Sequence, residues 1–327
     1  MAAMAADEVK PAGPAAAPAS RILLVTAEGS IQHALVALLR EHQVIVCADP
    51  DAAAALASKH DVDTVICGQR VPPVTGIDVL RAVRRGHARG MRVLLSDRPE
   101  GRLLLDAINE VEVFRCVDLP WNNAAMRELA NAAARGARVT PVLGSEPPTA
   151  DEAGDLKRHV ALVVIDSDAD AQQRLRDVLQ PHYKLHFANE FERALVFMEQ
   201  HETGALICAT RIGRSDLVTP LKALKQSHPQ ITTIAIDAHL DVDLTIELIN
   251  EAQVFRLLRR PLHPTICRQY ADAAMARYWR IKQNPQAAWR FAAAPARGAR
   301  APWQLTAGLI NRIRGLPGRL VDADAAV

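Results

Sequence analysis

The stretch Ile108–Pro120, INEVEVFRCVDLP, occurs again as Ile249–Pro261, INEAQVFRLLRRP, identical at seven of thirteen positions and displaced by 141 residues. Carried outward at that displacement, Ile66-Cys67 meets Ile207-Cys208, Arg70 meets Arg211, Leu80 meets Leu221 and Ser96 meets Asp237. The repeat therefore covers a whole domain. Its period is far longer than a solenoid repeat and suits two globular copies of one unit.

The totals agree with two copies. A chain of 327 residues, 49% hydrophobic and 23% charged, supplies two cores of ordinary size. A net charge of +2 makes no global field that would steer the chain to nucleic acid or membrane. Cys67, Cys116 and Cys208 lie in apolar strand-like runs with no C-x-x-C or Cys/His cluster, so they read as small hydrophobes of the core. Residues 1–19 are Ala/Pro-rich and lack a basic start and an apolar run, which predicts a disordered lead-in without a signal peptide. No run of eighteen apolar residues marks a membrane span, and the expectation is a cytoplasmic protein.

Along the chain, short apolar strands alternate with amphipathic helices. Arg21–Val25, Gln43–Cys47, Thr64–Cys67, Arg92–Leu95 and Val113–Val117 read as strands, each followed by a helical pattern. Asp49-Pro50 supplies an N-cap and an N1 proline for the second helix. The second copy reads the same way, with strands at Ala161–Ile165, Tyr183–Phe187, Ala205–Cys208, Ile231–Ile236 and Val254–Leu258, and a capping box at Asn189 and Glu192. Strict alternation with apolar strands predicts α/β domains with a parallel sheet covered on both faces, in the flavodoxin-like order 2-1-3-4-5. The domains are expected at 20–135 and 159–280, joined by a Pro/Gly-containing linker at 136–158 and followed by a tail at 281–327. In such a sheet, ligands are sought beyond the carboxyl ends of the strands.

Val71-Pro72-Pro73-Val74-Thr75-Gly76 after strand 3, Ser96 closing strand 4 and V-F-R…P-W at strand 5 give the first copy a pattern that resembles the receiver domain of two-component response regulators. That resemblance implies an acidic pair after strand 1, an acceptor aspartate after strand 3, a Thr/Ser after strand 4 and a lysine before the proline after strand 5. In the family the carboxylates hold Mg²⁺ and the lysine neutralises the phosphoryl group. Here the acceptor positions are Gly68 and Ala209, which offer no oxygen nucleophile. The acidic pair becomes Thr26-Ala27, beside Glu28, in copy one and Asp166-Ser167, beside Asp168, in copy two. The lysine positions hold Leu119 and Arg260, and Ser96 is answered by Asp237. The resemblance thus implies two pseudo-receivers without aspartyl phosphotransfer. No cofactor and no metal are expected. Arg260 paired with an aspartate is the preferred filling of the second pocket, a cation among Asp166, Asp168 and Asp237 the weaker one, and Asp216 or Ser215 a remote substitute acceptor.

Receivers pair through helix 4, strand 5 and helix 5, and the best-preserved repeat falls there. Ile108, Val113 and Phe114 read as core, while Asn109, Glu110 and Arg115, with Asn250, Glu251 and Arg256, read as an interaction face for copy-to-copy pairing within or between chains, a homodimer included. Signalling proteins such as a histidine kinase or another regulator are the expected partners. No G-x-S-x-G, P-loop or dinucleotide fingerprint is present, so no enzyme is expected. Without a helix-turn-helix, zinc finger or aromatic RNA-binding sheet, specific DNA reading is not expected either.

Between Asp272 and Asp322 the chain has no acid but nine Lys/Arg, and Trp279, Trp289 and Trp303 interleave with them. This composition predicts a mostly unfolded binding segment, with a helix at 302–320 that places Ile310 and Ile313 opposite Arg312 and Arg314. Docking on a domain, a partner's groove and an anionic membrane surface compete for that helix; attachment of the whole protein to membrane or nucleic acid through the tail is the alternative function. Arg81, Arg84, Arg85, Arg89 and Arg92 read as a solvated basic face.

Overall fold

A computed structural model describes residues 20–139, 154, 158–239, 241–291 and 306–317. The lead-in, most of the linker and Trp303 lie outside the described residues.

The first domain runs β1 (Arg21–Val25), α1 (Gly29–Leu38), β2 (Gln43–Cys47), α2 (Ala53–Lys59), β3 (Thr64–Gly68), α3 (Gly76–Gly86), β4 (Met91–Ser96), α4 (Gly101–Asp106), β5 (Arg115–Asp118) and α5 (Asn123–Arg138). The second runs β6 (Ala161–Ile165), α6 (Ala169–Leu179), β7 (Lys184–Ala188), α7 (Phe191–Gln200), β8 (Thr203–Ala209), α8 (Val218–Ser227), β9 (Thr232–Asp237), α9 (Val242–Asn250), β10 (Arg256–Arg259) and α10 (Pro264–Gln283). The two sheets have the orders β2-β1-β3-β4-β5 and β7-β6-β8-β9-β10, every pair parallel. Both are therefore the flavodoxin-like 2-1-3-4-5 arrangement.

The strands are buried on both faces because helices cover both. Ile22 and Leu24 point to α1 and α5, where they meet Leu35, Leu39 and Met126, while Leu23 and Val25 point to the side of α2 and α3. That second cluster does not stop at the domain boundary. It continues through Ile108 and Val111 to Ile249, Val254 and Leu257, so one apolar cluster joins the two domains.

Local chemistry sets the element ends. Asp49 caps the turn at Pro50–Ala52, accepting from the Asp51 N–H. Thr75 and Asp78 close a capping box at the start of α3. The box read at Asn189 and Glu192 does not form. Helix α7 opens at Phe191 with Glu190 as its N-cap, which leaves Asn189 outside the helix, and Arg193 draws the Glu190 carboxylate to itself at 3.0 Å. Each loop after the third strand is a small hairpin, Arg70–Val71 with Val74–Thr75 and Arg211–Ile212 with Ser215–Asp216. In the first, Gly76 is required because a Cβ there would lie 2.0 Å from the Gly68 carbonyl oxygen. In the second, Gly213 takes φ +57° to make the turn.

The described parts of the tail, 281–291 and 306–317, are more ordered than the composition predicts. Helix α10 continues to Gln283 with Tyr278 and Ile281 buried, a 3₁₀ turn at Pro285–Phe291 packs on α5, and α11 (Ala307–Arg314) packs on α7 and α8. Burial of Ala287, Ile313 and Leu316 supplies what a free segment would lack. None of the described helices is long and apolar enough to cross a membrane.

Candidate functional site

The structure brings the sequence-selected residues together in two places, the carboxyl ends of the central strands and the face between the domains. Gly68 and Ala209 are the last residues of β3 and β8, at the ends where this fold carries its sites.

In the first domain that end is neutral. Thr26 is buried and its hydroxyl accepts from the Glu28 N–H at 3.2 Å, while Ala27 and Glu28 are exposed. Leu119 packs with Trp121 against the α1 and α5 side of the core. The Ser96 hydroxyl donates to the Gln69 side-chain oxygen, which fixes it to the loop after β3.

In the second domain the same end is charged and closed. Asp166 is 1% exposed; one of its oxygens accepts from the Asp168 N–H at 3.0 Å and the other from Arg260 Nη2 at 2.5 Å. Arg260 Nη1 reaches Asp168 at 2.9 Å, and Asp168 also caps α6; Ser167 beside them is exposed. Asp237 accepts from the Thr210 hydroxyl at 2.7 Å, the counterpart of the Ser96–Gln69 tie. Every one of these carboxylates thus has a protein donor, and among the described residues no cluster of three or more Asp, Glu, His or Cys is placed to hold a metal ion. Asp216, just ahead of the Leu217 N-cap of α8, accepts from the Val218 N–H at 3.2 Å and the Thr219 hydroxyl at 3.0 Å, and Ser215 is exposed.

The second place is the face formed by the repeated stretch. Asn109 Nδ2 donates to the Leu257 carbonyl at 2.9 Å and its Oδ1 accepts from the Leu257 N–H at 2.8 Å. Asn250 makes the same pair with Cys116, at 2.8 and 2.9 Å. A displacement of 141 exchanges the two sets, so residue i meets j and the copy of i meets the copy of j, the signature of an isologous, two-fold contact. The chemistry follows from the topology. β5 and β10 are edge strands with unpaired N–H and C=O groups, and an asparagine amide presents one donor and one acceptor at the spacing of a strand. The opposite edges, β2 and β7, are half-exposed, whereas the paired part of β5 and β10 is buried.

Around these pairs the face is charged. Glu112, in the left-handed region at φ 53°, shares Oε1 between Arg84 Nη2 at 2.8 Å and Arg256 Nη2 at 2.7 Å. Its copy is Gln253, at φ 47°, whose amide donates to the Phe114 carbonyl at 3.1 Å. Burial alone would raise the Glu112 carboxyl, but Arg256, Arg84 and Arg277 outweigh it and hold it below the usual range. Glu110 pairs with Arg81 at 2.7 Å and Glu251 with the buried Lys222 at 2.6 Å, each within its own domain.

Several readings change here. Arg115 and Arg256, read as surface residues, are buried, each with its guanidinium over the preceding phenylalanine ring at 4.0 and 3.7 Å. The basic face of the first domain is not a solvated one. Arg92 is 3% exposed and bonded to the carbonyls of Val111 and Gly90, and Arg81, Arg84 and Arg89 are ion-paired; Arg85 is exposed. Of the copy-to-copy pairing read within or between chains, the contact seen is the one within the chain, through the helix 4 and strand 5 face. Glu112 and Gln253 were not singled out, since they differ in identity. Their signal was two polar residues at matched places in an apolar run.

In the tail, Trp279 packs against the α6 and α10 core of the second domain and Ile310 is half-buried. Ile313 is fully buried, and its carbonyl accepts from His228 Nε2 at 2.7 Å. Arg312 pairs with Glu199 at 2.6 Å, Arg314 is exposed and Trp289 lies in the 3₁₀ turn. All five cysteines are buried thiols, and burial pushes Cys116 up to about 12 and Cys267 to about 11.

The architecture is that of two flavodoxin-like, receiver-type (βα)₅ domains joined face to face in one chain. Among proteins of known role, the chain is similar to the hydrogenase transcriptional regulatory protein HoxA of Cupriavidus necator, 29% identical over 101 residues, which is 31% of this chain and 21% of that protein. HoxA of Bradyrhizobium diazoefficiens matches to the same extent. The chain spans about a fifth of the length of these relatives. Among solved structures it is similar to the signal receiver domain of an HD domain-containing protein from Pseudomonas fluorescens Pf-5, with TM-score 0.37, 24% identity, 40% of this chain and 97% of that one covered. A response regulator receiver domain protein from Clostridium thermocellum gives TM-score 0.34 and 18% identity over 37% of this chain and 98% of that one. No family model matches.

Proposed function

We propose that this chain is a signalling regulator of the two-component type that works by protein–protein contact and without aspartyl phosphorylation. The observation that carries this reading is at the strand ends: Gly68 and Ala209 stand where a nucleophile would be needed, and Arg260 already occupies both Asp166 and Asp168. A carboxylate bound to an arginine resembles the charge balance of an occupied receiver pocket without any phosphoryl group. The residue after strand 4 is likewise tied down in both copies, so the usual moving parts are held in one arrangement. The face through which receivers pair is spent on joining the two domains. Signalling partners, a kinase or another regulator among them, then meet the remaining surfaces of the two-domain unit.

The test is incubation of the full chain with acetyl phosphate and Mg²⁺, followed by intact-mass measurement with and without hydroxylamine. The expected outcome is an unchanged mass. A hydroxylamine-labile phosphoryl adduct on either domain would end this reading.

A further inference from the structure

The groove that seats α11 exists in one domain only. In the first domain α2 packs closely on α3, and a Cβ added at Gly86 would meet the Ala54 Cβ at 3.8 Å. In the second, α7 and α8 make far less contact with each other, and α11 lies against both. The side chains at the contact account for the difference. At the displacement of 141, Ala54, Ala57 and Gly86 become Leu195, Met198 and Ser227. Larger groups between two helices hold their axes further apart, and α11 fills the space that results.

Two histidines show the same exchange in a single hydrogen bond. His87 and His228 occupy matched positions just after α3 and α8, and both are buried. His87 Nε2 donates to the Val62 carbonyl of its own domain at 2.7 Å, whereas His228 Nε2 donates to the Ile313 carbonyl of α11, also at 2.7 Å. A donor met by the domain itself in the first copy is met by the tail in the second. Ile313 lies in the last turn of α11, where helix carbonyls have no intrahelical partner.

The rim of the groove is acidic. Glu199 of α7 holds Arg312 by two bonds, Nε to Oε1 at 2.6 Å and Nη2 to Oε2 at 3.1 Å, and Glu192 adds its negative charge nearby. Val196 shares that face of α7 by its spacing and is 48% exposed, so the seat continues beyond what is covered. The plug itself is slight. Within α11 only Ile313 is buried, with Leu316 just past its end.

We propose that the groove between α7 and α8 is a docking site for an amphipathic helix of a partner protein, and that α11 fills it in place of that partner. The pattern of α11 describes the occupant: apolar residues three apart, as at Ile310, Ile313 and Leu316, a cation among them to meet Glu199, and a helix end that offers a free carbonyl to His228. A helix longer than α11 would also cover Val196. This deepens the protein-contact reading and rests on it, but not on the missing nucleophile at the strand ends.

The experiment follows the fluorescence polarisation of a labelled peptide, residues 302–320 of this chain, against the full-length protein. With wild type the tethered α11 competes at high effective concentration, and the peptide should bind weakly. In full-length Ile313→Asp the groove is freed, and binding should tighten about tenfold or more. Adding Glu199→Arg to that variant should remove the gain, and a peptide carrying Arg312→Glu should restore it. Should I313D fail to fold, full-length Arg312→Glu, changed at a half-exposed side chain, releases α11 and is read in the same way. Equally weak binding to wild type and to a folded released variant overturns the proposal. So does a wild-type dimer in sedimentation that I313D makes monomeric, which would give the groove to the α11 of a second copy. Neither result bears on phosphorylation, which the acetyl phosphate incubation decides.

Discussion

At the scale of the residue, position in the repeat was legible and role was not. Asn109 and Asn250 stood out because they recur, but that each replaces a missing strand for the other domain depends on what faces β5 and β10. Arg115 and Arg256 show the limit from the other side. Each of these charged residues is buried with its flat guanidinium over a phenylalanine ring. Glu112 gives a test with a definite sign. Its folded pKa lies below the ordinary 4.5, so its contribution is present above that value and is lost as pH falls below it. Urea melts of wild type and Glu112→Gln should therefore differ at neutral pH, with a gap that starts to narrow as pH falls below about 5 and closes only once pH passes the lowered folded value. A gap that stays constant across that range would show that Glu112 makes no charged contact.

At the scale of the element, the strand and helix order was read correctly from periodicity, and the ends moved by one or two residues. Val113 and Phe114 precede β5 instead of opening it, because the chain first turns through the left-handed Glu112. The tail helix was drawn at 302–320 from its apolar side; the structure forms Ala307–Arg314, stopped at Gly315. Its seat was invisible in the sequence, since α7 and α8 show no mark of a partner. Ending the chain before Thr306 removes the buried Ile313 and Leu316 and leaves His228 without that carbonyl. The expected cost is about 2–4 kcal/mol in the second domain, measured by denaturant unfolding, with new binding of an apolar dye. Unchanged stability would mean that α11 does not hold this seat in solution.

At the scale of the whole molecule, the two domains meet through a two-fold contact that lies away from the strand ends. The joint is predicted to depend on the paired asparagines. Asn109→Ala with Asn250→Ala removes four hydrogen bonds and strands the backbone groups of Leu257 and Cys116, at about 1–3 kcal/mol for each site. Small-angle scattering should then show a larger radius of gyration, with each domain keeping its own melting transition. A double variant as compact as wild type would deny the asparagines this role. The sequence by itself determined the duplication, the alternating strands and helices, the parallel sheet and the residues that end β3 and β8. All of these follow from local periodicity and from residue identity at a fixed offset. Only the tertiary structure decided that the copies meet each other, that α11 packs back on the second domain, and that Arg92, Arg277 and Arg290 line one cleft. Those depend on which surfaces find a partner once the chain is compact, and no spacing along the sequence records that distance.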